Sequence, residues 1–278
     1  LAFAIVSDEE TGGSAGVSTL LGSEAFDAVD PDGCLIGETT CSGDQHSITV
    51  ADRGSIWLTL RADGEAAHGS RPMLGTNAID RLWNAIETVR SRLPARELEL
   101  PDDVRPIIDE SIAYYEPAMG ATTARELFEH PSVNLGTIEG GDSVNTVPST
   151  ASARLDVRLT AGVETRTVLS EIRDCLTACP SVSIADVSWS VGSHEPVDSP
   201  LVEAVTETAE GVVGERIYRR SATGGGDAKK FRNAGIPTAE YAFGTDTVHA
   251  VDEYTTEEAL ARNAEVYARL PYVWKAHS

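Results

Sequence analysis

The sequence is poor in lysine and has no long apolar run, and both absences exclude classes of function. Only three of its 278 residues are lysine, and 44 acidic residues against 22 basic ones give a net charge of −22. A surface this acidic repels nucleic acid and anionic membranes. No stretch of about 18 apolar residues is present, so no membrane span is expected. We therefore expect neither nucleic acid nor a membrane as a partner.

Cysteine is also scarce, and the charge imbalance suggests a particular environment. The four cysteines are Cys34, Cys41, Cys175 and Cys179. They fit a reducing, cytoplasmic compartment. Cys175 and Cys179 stand four residues apart, and we favour packed thiols over a metal site for them because no second pair stands at ligand spacing. The acidic excess is larger than a domain needs for solubility. We interpret the chain as a halophilic protein of a high-salt cytoplasm, with ordinary acidic solubility as the alternative.

The periodicity of the chain changes twice, and this predicts two domains. Residues 1–52 and 193–278 have α/β texture, with residues 1–6 predicted as a buried strand and 26–29 as a strand piece. Residues 94–131 are acidic and punctuated by proline, which predicts a loop with short helices. Residues 53–192 show the order β-α-β-β-α-β of a split βαβ, ferredoxin-like unit. The insert therefore forms a domain within a discontinuous one.

Short motifs with residues suited to metal and acid–base chemistry are spread over both predicted domains. The chain opens with an apolar run followed by three consecutive acids and a glycine pair, Asp8-Glu9-Glu10-Thr11-Gly12-Gly13. The later motifs centre on Glu38, His68, Asn145, Arg158, Asp227 and His249. Carboxylates and imidazoles are the ligands that zinc prefers, and a metal-bound water becomes a nucleophile near neutral pH. Taken one at a time, each motif is also compatible with a solvated turn or a surface residue.

In this order, the motifs resemble those of the co-catalytic zinc amidohydrolases and peptidases. That family includes acetylornithine deacetylase, succinyl-diaminopimelate desuccinylase and bacterial glutamate carboxypeptidase, and the resemblance covers nearly the whole chain. It implies an α/β, zinc-peptidase-like catalytic domain formed by residues 1–52 and 193–278. It also implies that residues 53–192 form an inserted, ferredoxin-like α+β dimerisation (lid) domain, which pairs two subunits into a homodimer.

The resemblance assigns the metal ligands and the base. Glu10 and His249 are expected on one divalent cation and Glu38 on a second. Zinc is expected, although cobalt or manganese also suits this donor set. Glu9 is expected to act as the general base that takes a proton from the metal-bound water and passes it to the leaving amine.

The resemblance also assigns the substrate contacts. His68 is expected to stabilise the oxyanion in the partner subunit's site, with Asn145 as a second polar contact. Arg158 is expected to clamp the substrate carboxylate, because its planar fork suits that task. Lys229 stands where relatives often carry arginine, and Gly225 is expected to let the backbone approach the substrate.

One departure from the family pattern limits this interpretation. Relatives supply a histidine and a metal-bridging aspartate from a segment before the strand that opens this chain. The sequence starts at Leu1, so we interpret it as the remainder of a longer enzyme and expect it to bind metal weakly by itself. The predicted function of that enzyme is metal-dependent hydrolysis of the amide bond of a small N-acyl amino acid. The alternatives are a dipeptidase or carboxypeptidase, and a non-catalytic dimerising homologue.

Overall fold

The computed structural model describes residues 1–11, 14–41 and 45–277, and these fold into two compact units. The first unit consists of Leu1–Arg53, Pro101–Ala124 and Gly192–Ser278, and the second of Gly54–Leu100 and Arg125–Val191. The main difference from the predicted division is that residues 101–124 pack with the first unit. In the ranges described, no helix is both long and apolar enough to span a bilayer.

The strands of the first unit are short, and those of the second unit are longer. The strands are β1 (Cys34–Ile36), β2 (His46–Asp52), β3 (Gly54–Asp63), β4 (Ser132–Gly140), β5 (Thr150–Leu159), β6 (Val182–Ser190), β7 (Ser193–His194), β8 (Ile217–Ser221) and β9 (Thr238–Glu240). The helices are α1 (Val17–Leu21), α2 (Glu24–Asp27), α3 (Ala78–Arg92), α4 (Arg105–Met119), α5 (Ala121–Glu129), α6 (Thr165–Thr177), α7 (Pro200–Val213), α8 (Ala228–Asn233) and α9 (Glu257–His277). Single 3₁₀ turns lie at Glu9–Thr11 and Pro72–Leu74.

The second unit has the ferredoxin-like arrangement that its sequence predicts. Its antiparallel sheet has the order β4-β5-β3-β6, and α3 and α6 pack on it. Along β3 the residues alternate, with Ile56 and Leu58 buried and Trp57 between them exposed, because successive side chains point to opposite faces. The side chain of Asn77 caps α3 by accepting the amide N–H groups of Ile79 and Asp80. The predicted fold class is therefore confirmed for this unit.

The first unit is organised around β2, which is buried along almost its whole length. β2 pairs in parallel with β8 and antiparallel with β7 and β9, and β9 pairs in parallel with β1. Ile48 and Val50 are fully buried, and Thr49 lies opposite Glu240 of β9. Helices α7 and α9 pack together, and α7 also contacts β8 and β9. Because β2 is central, the loops that follow β2, β8 and β9 are all attached to one rigid strand.

Two predictions for the start of the chain are wrong. Residues 1–6 form no strand in the structure, and Leu1, Phe3 and Ile5 are largely exposed. A strand requires a ladder with a neighbour, and the residues described offer none to this segment. Residues 26–29, predicted as a strand piece, form the end of α2 and the turn after it, and the Ser23 hydroxyl caps the start of this helix by accepting the amide N–H of Phe26.

The loop with short helices predicted over residues 94–131 contains more helix than expected, because α4 and α5 occupy most of it. Ile107, Ile108 and Ile112 are buried at helical spacing on α4, which packs on β8. The Ser111 hydroxyl accepts the amide N–H of Ser221 at 2.8 Å. Proline and acidic residues suggested a loop, but the isoleucine stripe stabilises a helix once β8 is there to cover it.

Candidate metal centre

Glu10 and His249, the two residues expected on one cation, are in contact in the structure. Glu10 Oε1 lies 3.1 Å from His249 Nε2. Glu10 belongs to the 3₁₀ turn Glu9–Thr11 rather than to a strand end, so it and Glu9 do not alternate as strand residues would. Both side chains are about two-thirds exposed or more. The structure therefore brings together a carboxylate and an imidazole from opposite ends of the chain.

Hydrogen bonds within the loop of residues 245–254 hold His249 beside Glu10. The backbone of His249 has φ of 62°, the left-handed region that a residue with a side chain rarely adopts. Its amide N–H donates to Glu253 Oε2 at 3.2 Å, and the Thr245 hydroxyl donates to the carbonyl of Tyr254 at 2.8 Å. The Tyr254 amide in turn donates to the Thr247 hydroxyl at 3.3 Å. Strain of this kind persists only where surrounding bonds hold it, and it is common at functional sites.

Glu9, the expected base, lies against the glycine loop and near other acids. Its Oε1 is 3.5 Å from the point that a Cβ on Gly226 would occupy, so its carboxylate lies close to the backbone of this glycine. Desolvation raises the pKa of Glu9, and the charges of Asp227, Glu10 and Glu38 raise it further, whereas His249 lowers it. A carboxylate with this environment is suited to exchange protons closer to neutral pH.

Glu38 lies in the same neighbourhood without touching the Glu10–His249 pair. Its Oε1 accepts the amide N–H of Thr39 at 3.0 Å, and its charge acts on Glu9. Thr39 and Val248, the neighbours of Glu38 and His249, both line a cavity of about 260 Å³. Over the described stretches, no three His, Cys, Asp or Glu side chains converge closely enough to hold a metal ion. The structure thus brings two of the expected ligands into contact, with a third carboxylate in the same neighbourhood.

The glycine loop brings Asp227, Lys229 and Gly225 to this region. Asp227 is buried, forms an ion pair with Lys230 at 2.9 Å and raises the pKa of Glu9 by its charge. Lys229 Nζ donates to the carbonyl of Arg53 at 3.0 Å and lies beside Gly225. No role was predicted for Asp227, although its position directly after three glycines marks it in the sequence.

His68 and Asn145 are neighbours in the second unit. The Gly69 amide donates to the carbonyl of Asn145 at 2.6 Å, and a β-bridge joins His68 to Thr146. His68 Nδ1 lies 2.9 Å from the Ser70 hydroxyl, and both are exposed. The two residues expected to share an oxyanion contact thus come from loops that are bonded to each other, although this contact does not test their role.

Arg158 is held in place on the same sheet by an aspartate and a tryptophan. Its Nε and Nη2 donate to the carboxylate of Asp156 at 2.8–3.0 Å, and its guanidinium lies 5.9 Å from the centre of the Trp57 ring. The Trp57 indole N–H also donates to Asp156 at 3.0 Å. Asp156 therefore fixes the plane of the Arg158 fork, and the expected role of Arg158 toward a substrate carboxylate stays a prediction.

Known proteins resemble the chain both in part and along nearly its whole length. Residues 50–179 match the model of the peptidase dimerisation domain. A succinyl-diaminopimelate desuccinylase of Acidiphilium cryptum is 28% identical over 270 residues, which are 96% of this chain and 65% of that protein. A probable succinyl-diaminopimelate desuccinylase of Staphylococcus epidermidis is 27% identical over 249 residues, 86% of this chain and 59% of that protein. The chain thus spans less than two thirds of the length of these curated relatives.

Solved structures show the same fold. An M20 family metallo-carboxypeptidase from Sulfolobus solfataricus superimposes with a TM-score of 0.72 at 19% identity, over 97% of this chain and 68% of the other. The aminopeptidase PepT from Bacillus cereus superimposes with a TM-score of 0.70 at 19% identity, over 98% of this chain and 63% of the other. The resemblance predicted from the ordered motifs is confirmed: the chain is similar to succinyl-diaminopimelate desuccinylases along nearly its whole length, has the fold of M20 family peptidase structures, and matches the peptidase dimerisation domain over residues 50–179.

Proposed function

We propose that the whole protein hydrolyses the amide bond of an N-acyl amino acid with the help of bound divalent cations. The observation that carries this proposal is the 3.1 Å contact between Glu10 and His249, with Glu9 as the next residue. A carboxylate and an imidazole in contact are two of the donors that a zinc ion takes. The likeness to desuccinylases over 96% of the chain favours N-acyl amino acids as substrates.

The residues present fit part of a zinc site. Glu10 and His249 would hold one cation and Glu38 a second, but a closed site needs three or four ligands on each ion. The described ranges bring no third ligand to the Glu10–His249 pair, so the set is incomplete by itself. When bound, zinc polarises a carbonyl and lowers the pKa of a water molecule to near neutrality.

The chain itself contributes the proton transfer and the substrate contacts. Glu9 accepts a proton from the attacking water and returns it to the leaving amine, and its raised pKa makes its carboxylate a stronger base for the first of these transfers. His68 and Asn145 donate to the oxyanion in the site of the partner subunit, in a homodimer formed through the second unit. Arg158 and Lys229 bind the substrate carboxylate, and Gly225 lets the protein backbone approach the substrate. We propose a cytoplasmic location for this homodimer.

Two variants separate metal binding from catalysis. Removing a ligand with His249→Ala should weaken zinc binding at least about tenfold in calorimetric titration. Glu9→Gln should leave zinc binding unchanged and lower kcat about a hundred- to ten-thousandfold, measured with N-acetyl and N-succinyl amino acids. Glu257→Gln, an exposed acid at the start of α9, is the matched control. Full activity in Glu9→Gln would contradict the role of the base.

Peptide hydrolysis is a second candidate, because the superimposed structures are named as peptidases. A panel of dipeptides, C-terminally blocked peptides and N-acyl amino acids distinguishes the two reactions. A faster turnover of dipeptides would assign the chain to the peptidases.

A non-catalytic, dimerising homologue is the third candidate, and the missing third ligand in the described ranges favours it. Metal analysis of the purified protein decides this question. Protein that binds no zinc, cobalt or manganese, and hydrolyses none of the panel, would support the non-catalytic function.

A further inference from the structure

A buried ionic cluster, which contains none of the expected metal ligands, lies in the first unit. Asp52 is fully buried, and Arg232 and Glu240 are almost so. Arg232 Nη1 donates to Asp52 Oδ2 at 2.6 Å. The other two nitrogens of this guanidinium, Nε and Nη2, donate to the carbonyls of Thr238 and Thr49, at 2.8 Å and 3.2 Å. Arg232 is therefore held at three points, and Asp52 has a fixed counter-charge that no step of the proposed reaction uses.

Asp52 is bonded to the glycine loop through its second oxygen. The Gly226 amide N–H donates to Asp52 Oδ1 at 3.3 Å. Backbone bonds attach the start of the loop to the same strand end, with the Ala222 amide donating to Ala51 at 2.7 Å and the Arg53 amide donating to Gly224 at 2.9 Å. Beyond Gly224, the side chain of Asp52 provides the next hydrogen bond that attaches the glycine loop to the end of β2.

Gly226 in turn lies between two carboxylates. A Cβ at this residue would be 3.5 Å from Glu9 Oε1 and 3.2 Å from Glu240 Oε1. The backbone of Gly226 therefore lies close to the carboxylates of both the expected base and Glu240. A shift of Gly226 by a few tenths of an ångström would change the space available to the carboxylate of Glu9.

We propose that Asp52, with Arg232 as its fixed counter-charge, is a positioning residue that holds Gly226 beneath the carboxylate of Glu9. This inference rests on the proposed function, in which Glu9 is the base. Glu240 is a second buried carboxylate near the Arg232 guanidinium, so Arg232 keeps an acidic neighbour if the charge of Asp52 is removed. Burial and then the charge of Asp52 raise the pKa of Glu240 to about 8, so Glu240 keeps its proton at neutral pH beside the Asp52–Arg232 ion pair.

The test is Asp52→Asn, which keeps the size of the side chain and removes its charge. Glu240 can then ionise beside Arg232, so we expect the variant to fold. Hydrogen exchange of the Gly226 amide should become at least about tenfold faster, because its acceptor is weaker. In zinc-loaded protein, kcat should fall about ten- to a hundredfold through misplacement of Glu9, with KM within about twofold of the wild type. Asp63→Asn, an exposed acid at the end of β3, is the control.

The outcomes separate this inference from the proposed function. Wild-type protein without hydrolytic activity would refute the function and, with it, the positioning role. Active wild type with unchanged kcat in Asp52→Asn, or with a change confined to KM, would refute the positioning role alone, as would unchanged exchange of Gly226. If Asp52→Asn does not fold, Arg232→Lys keeps the charge pair and loses the three-point hold. It should then show the same faster exchange and lower kcat, and wild-type values in this variant would overturn the inference.

Discussion

Replacing Glu240 by Gln should remove much of the pH dependence of the protein's stability between about pH 4.5 and 8. Glu240 is buried on β9, and desolvation, followed by the charge of Asp52, raises its pKa from 4.5 to about 8. In the unfolded chain the same carboxyl ionises near 4.5. Between these two pH values the folded protein keeps a proton that the unfolded chain releases. Glutamine has the shape of the protonated acid and does not titrate.

The sign and the size follow from proton linkage. The folded state binds more protons than the unfolded state. The contribution of Glu240 to the free energy of unfolding is therefore fully present below pH 4.5 and is lost as the pH rises to about 8. Each pH unit in this window corresponds to about 1.4 kcal/mol, which sets a ceiling of about 5 kcal/mol for the whole window. Glu240→Gln should therefore match the wild type near pH 4.5 and exceed it by up to that amount near pH 9.

Urea unfolding at a series of pH values measures this difference. EDTA in every sample keeps metal ions away from the neighbouring Glu38, whose charge also acts on Glu240. Glu257→Gln, at an exposed position of α9, should follow the wild-type curve. A constant difference between Glu240→Gln and the wild type across the pH range would refute the reasoning, because it would mean that Glu240 does not carry a proton in the folded state.

Three further measurements test other features of the fold. His277 bonds to Glu207 and Glu203, which raise its pKa, so its contribution to stability is present below about pH 6.5 and is lost as the pH rises through the higher folded-state pKa. His277→Gln should thus lower the Tm at pH 5.5 but not at pH 9, and equal losses at both would contradict this assignment. The net charge of −22 should make the Tm rise with KCl, because salt screens the repulsion, and a Tm insensitive to KCl would speak against salt adaptation. Phe128 is fully buried in the second unit, so Phe128→Ala should lower the free energy of unfolding by about 3–5 kcal/mol in urea titration, and a loss below about 1 kcal/mol would show that the site collapses around the cavity.

The second unit shows how far periodicity alone can predict a fold. Buried and exposed residues alternate strictly along β3 and β5, and apolar residues recur at helical spacing on α3 and α6. These elements bury one face only, so the pattern of each face is visible in the sequence. Residues 1–6 were predicted wrongly, and the length of the helix over residues 105–119 was missed, for the complementary reason. The structure of each stretch depends on whether another part of the chain covers it, and its own residues do not show which part that is.

The candidate site was predictable to a different degree. Glu9, Glu10, Glu38 and His249 were identified because their motifs occur in the order found in a known family. The contact of Glu10 with His249, and the position of Glu9 over Gly226, appear only in the folded chain. Asp227 could have been found from the glycines before it. Asp52 and Glu240 could not, because a single acid in a strand looks like many others.

The amino-acid sequence by itself determined the kinds of chemical group available, the charge of the surface and the elements whose burial repeats with a regular period. The tertiary structure decided which of these groups meet. Asp52, Arg232 and Glu240 form one cluster because β2 pairs with β9 and the glycine loop folds back onto the end of β2. Pairing between segments distant in sequence depends on the shape and burial of both partners, and the pattern of either segment alone does not contain it.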